Sequence, residues 1–215
     1  MFAHRAYSFD PSKFRADFES RVIRNEELRV DLLHEWAVKI ANHPSNVTRD
    51  MLRYIRYDEA DWLDADSSNL DLWYLIVLAS VVLEAPHLSI PSYNAIKNVL
   101  PLVGWDASDI EQLIYGKDLG MLPELYGHKS LQFKNLRQHG GWLDLSDAHS
   151  LLAKLDAVAE KFSNPPRDVI AAIKEYADFW GGDPNTLLKP AYREARSMLQ
   201  VAIEREHALF VSLFD

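Results

Sequence analysis

The spacing of apolar residues constrains this chain more than any other feature. Ala191, Ala195, Met198, Leu199, Ala202 and Ile203 recur at steps that keep them on one stripe of an α-helix and that fit no strand. Similar stripes run through Phe14, Phe18 and Val22, through Leu28, Leu33, Trp36, Ala37 and Ile40, and through Leu151, Leu152, Leu155, Val158, Ala159 and Phe162. Between stripes stand His43-Pro44, Pro86, Gly104, Gly116, Asn164-Pro165-Pro166 and Gly181-Gly182-Asp183-Pro184. Proline cannot continue a helix, and glycine adopts the left-handed turn that ends one.

The pattern predicts an all-α fold, a single compact domain over residues 1–215 with roughly seven to nine helices and about 60% helix. Leu72 to Leu83, the most apolar run, reads as the central buried helix closed by Pro86. Its twelve residues rise only about 18 Å, too short for a bilayer, so no membrane partner is expected. Trp36 and Trp73 read as core anchors. Helices are also expected over Thr48–Tyr57, over Pro91–Val103 with Pro101 shortening it, over Asp106–Tyr115 and from Arg167 to Trp180. Ser146 is the expected cap of the Leu151 helix and Asp183 that of the last one, whose axis Pro190 should reset. Leu131 to Arg137 and Leu209 to Phe214 stay open between helix and strand, which leaves room for a minor terminal strand pair. A subdomain boundary fits best in the loop 116–128, which holds three glycines and a proline.

A hydrophobic share of 48% marks a chain that folds by burial. The absence of cysteine excludes disulfides, thiolate metal sites and a cysteine nucleophile. With Met1 to Tyr7 lacking an apolar core of leader length, the expected location is cytoplasmic. Phosphate-cradling and dinucleotide glycine motifs, the serine-nucleophile elbow and the His-Glu-x-x-His zinc helix are absent, and no motif asks for a cofactor.

Charge is unevenly spread. Lys and Arg against Asp and Glu give +2 for residues 1–57, −9 for 58–118 and −2 for 119–215. No basic stripe exists to hold phosphates, so nucleic acid is not the expected ligand; a basic protein partner suits the acidic third. Asp58, Glu59, Asp61, Asp64 and Asp66 surround Trp62, which combines a negative field with an aromatic anchor. Asp64 to Asn69 starts like a calcium loop, but Asn69 replaces the turn glycine and Leu75 the bidentate glutamate.

The second polar constellation is His128, His139, Asp144, Asp147 and His149, whose imidazoles and carboxylates are ligand types of zinc, iron or manganese. Gly140-Gly141 reads as a turn, and Ser146 or Asp147 as the start of a helix. The leading expectation is an interaction or regulatory protein that docks a basic partner through residues 58–71. The competing one is a metal-assisted hydrolase around residues 128–149.

Overall fold

A computed structural model describes residues 3–23, 77–78, 81–117, 141–179 and 182–214. In chain order they form strand β1 (Ala3–Phe9), helix α1 (Pro11–Phe18) with a π-helical turn (Glu19–Ile23), strand β2 (Leu83–Glu84), and helix α2 (Ile90–Val99) with a 3-10 turn (Leu100–Val103). Helix α3 (Ala107–Tyr115), strand β3 (Gly141–Leu143) and helices α4 (Leu145–Ala157), α5 (Ala159–Ser163), α6 (Arg167–Phe179) and α7 (Pro184–Arg205) follow, then strand β4 (Ala208–Phe214). The protein is mostly helical, with a small antiparallel sheet of order β2-β1-β4-β3. No helix among the described residues is long and apolar enough to cross a membrane. The chain divides into two compact units, one of Met1–Ser8, Ala85–Leu119 and His139–Asp215, the other of Phe9–Glu84 and Gly120–Gln138.

The first unit is built on α7. Leu188, Ala191, Ala195, Met198, Leu199 and Ala202 are all fully buried, and Ile203 packs beside them. Three of these are alanines, which let α2, α4, α5 and α6 approach the helix closely. Asp183 caps α7 by accepting from the Asn185 N–H at 2.9 Å, with Pro184 in the first turn as expected. Pro190 lies inside α7 without ending it, exposed, while its neighbours Leu188 and Ala191 are anchored in the core. Tertiary burial outweighs the lost hydrogen bond.

Strand β4 resolves the open reading at the C-terminal end, and β1 is a strand that helical periodicity did not disclose. In the antiparallel pair β3–β4, Gly141 faces Val211, Trp142 faces Phe210 and Leu143 faces Leu209. One face of the sheet sends Ala6, Leu209 and Val211 into the helical core. The other carries Tyr7 stacked on Phe210, ring centroids 6.3 Å apart.

Three further expectations change. The helix expected to reach Leu83 has helical residues at Val77, Leu78 and Val81, but Leu83 and Glu84 are strand and Leu83 is exposed. The single helix expected through Phe162 is broken at Val158 into α4 and α5, and Phe162 is buried all the same. The cap of α4 is Asp144 instead of Ser146, because the Asp144 carboxylate reaches the Asp147 N–H. Pro101 does shorten its helix, opening the 3-10 turn that Gly104 ends at φ 94°.

In the second unit, Asp10 caps α1 by accepting from the N–H groups of Ser12 and Lys13 at 2.9 and 3.2 Å. Phe14, Phe18 and Val22 are fully buried. Phe9 meets Phe14 edge-on and Phe14 stacks on Phe18, each pair 5.9 Å between centroids. Trp36, Trp73, the Thr48–Tyr57 helix and the Leu131–Arg137 segment lie outside the described residues.

Candidate functional site

The polar constellation of the first unit begins where two glycines cross. Gly116 ends α3 at φ 71°, and a Cβ on it would stand 2.5 Å from the Gly141 carbonyl carbon and the Trp142 nitrogen. A Cβ on Gly141 would stand 2.3 Å from the Lys117 carbonyl oxygen. Only glycine permits this approach. It brings the Lys117 N–H to the Trp142 carbonyl at 2.8 Å and the Trp142 N–H to the Lys117 carbonyl at 3.0 Å. The expected turn at Gly140-Gly141 is therefore, at Gly141, the first residue of a strand.

The crossing aims Lys117 at α4. Its ammonium donates to Asp147 Oδ1 at 2.5 Å, while Asp147 Oδ2 accepts from the Asp144 N–H at 3.2 Å. Asp144 Oδ1 accepts from the Asp147 N–H and the Ser146 hydroxyl, both at 2.7 Å. Asp144 and Asp147 thus form a reciprocal capping box at the start of α4. Burial pushes the Asp144 carboxyl up, but the Ser146 hydroxyl, the Asp147 N–H and the Lys117 charge outweigh it and hold the group below its usual range. It stays an ionised hydrogen-bond acceptor.

Asp147 is nearly buried, and its oxygens are engaged by Lys117 and the backbone. His149 lies on the exposed side of α4. His128 and His139 lie outside the described residues, as do Asp58, Glu59, Asp61, Trp62, Asp64 and Asp66. Among the described residues no group of three His, Asp or Glu side chains is arranged to hold a metal ion. Chemically, the Lys117–Asp147–Asp144 set fixes a helix start against a strand.

A second polar cluster escaped the sequence reading. His4 on β1 is 2% exposed, and its Nδ1 accepts from the Leu88 N–H at 3.2 Å. Burial, and next the neighbouring His87, push its pKa down to about 3. Beside it, the Arg5 guanidinium donates to His87 Nε2 at 2.8 Å. Farther along β1, Ser8 accepts from Arg205 at 2.7 Å, and at the cap of α2 Ser89 donates its N–H to Glu194 at 2.7 Å. Every one of these bonds joins residues more than 80 positions apart, so no local pattern announces them.

Comparison of the chain with family models, with curated proteins and with solved structures finds no match.

Proposed function

We propose that this protein is a non-enzymatic cytoplasmic interaction or regulatory protein that docks a basic protein partner through its acidic segment 58–71. The observation that carries the reading is the charge of that segment: six acids and no base within fourteen residues, with Trp62 among them. Such a field steers a cationic partner, and a large aromatic supplies the apolar contact that slows its release.

The two lysines within residues 58–118 do little to offset the excess. Lys97 lies over the Tyr93 ring at 6.0 Å, and Lys117 is paired with Asp147. Glu84, Asp106 and Glu111 add exposed negative charge to the same stretch of chain.

The test is the association rate of a synthetic peptide rich in lysine and arginine with the whole protein, followed by stopped-flow fluorescence. Replacing Asp61, Asp64 and Asp66 together by asparagine lowers the on-rate, and Trp62→Ala raises the off-rate. Unchanged rates in both variants, with circular dichroism unaltered, refute the assignment.

A further inference from the structure

We draw no further inference here: the strongest candidate, the surface patch of Tyr93 on α2 and Tyr115 on α3, whose hydroxyls lie 2.9 Å apart, is a hydrogen-bonded contact between two helices, and nothing in the structure shows what covers it.

Discussion

His4 is held neutral inside the first unit, and this gives the protein an acid sensitivity that can be assigned to one side chain. Its folded pKa of about 3 lies below the ordinary value of 6.5, because burial and the adjacent His87 and Arg5 disfavour a second proton. Below pH 6.5 the unfolded chain takes up a proton that the folded chain refuses, so stability is intact above that pH and falls as the pH drops from 6.5 toward 3. The loss from this residue amounts to about 1.4 kcal/mol per pH unit. Urea unfolding at pH 7.5 and 5.0 should show a steeper decline for the wild type than for His4→Gln, whose amide can still accept from Leu88. Parallel declines would place the sensitivity elsewhere. Glycines give a second test at this scale. Gly104→Ala meets nothing within 4 Å and pays only for its positive φ, about 1–2 kcal/mol. Gly141→Ala drives its Cβ into two backbone carbonyl oxygens and should cost about 3 kcal/mol. Equal denaturation midpoints for the two variants would contradict the crossing. Sequence made the first glycine legible, since it follows a helical run; the crossing partner of Gly141 lies elsewhere in the chain.

Among elements, legibility follows the same divide. Helices α2, α3, α6 and α7 were readable because their buried faces repeat locally and their stops are prolines and glycines. Strand β1 was not. Its run His4-Arg5-Ala6-Tyr7-Ser8-Phe9 shows no apolar alternation, yet five of the six side chains are buried because the strand is interior to the sheet. His4 and Ser8 tolerate that burial through Leu88 and Arg205, which no periodicity could indicate. The candidate metal constellation divides likewise: Asp144 and Asp147 are four-residue neighbours in a capping box, a local motif, but Lys117, the cation that engages Asp147, comes from thirty positions away. Pro190 marks where local rules yield to packing. Leu188, Ala191 and Ala195 hold the helix together around an exposed proline that lacks the N–H for the Thr186 carbonyl. Pro190→Ala should therefore restore that bond and stabilise the protein by about 1–3 kcal/mol, read as a higher urea midpoint. A lower midpoint would mean that the proline contributes more by restricting the unfolded chain than it costs in the helix.

For the whole molecule, the decisive contacts of the first unit are the ones most distant in sequence. Its strands β1 and β4 come from opposite ends of the described chain and lie side by side in the sheet. The chain must leave this unit at Ser8, return at Ala85, leave again at Leu119 and return at His139 before β4 can pair. Closing such long excursions costs little extra in equilibrium, since loop entropy grows only with the logarithm of length, but it delays folding until distant pairs meet. Local reading thus recovers α7 and its companions while leaving the sheet that joins them unread. The same architecture predicts that β1 is indispensable although it is short. Without it, β4 keeps β3 but loses the ladder on its other edge, Phe210 loses Tyr7, Leu88 loses the His4 acceptor, and Arg205 loses Ser8. Removing residues 1–8 should abolish the cooperative urea transition reported by near-ultraviolet circular dichroism, with much of the far-ultraviolet helix signal retained by α2 to α7. A truncated protein that unfolds cooperatively at the wild-type midpoint would show that the helices alone specify the unit. Supplying a synthetic peptide of residues 1–9 separates the two cases, because recovery of the transition in proportion to added peptide is the signature of a strand that completes the sheet.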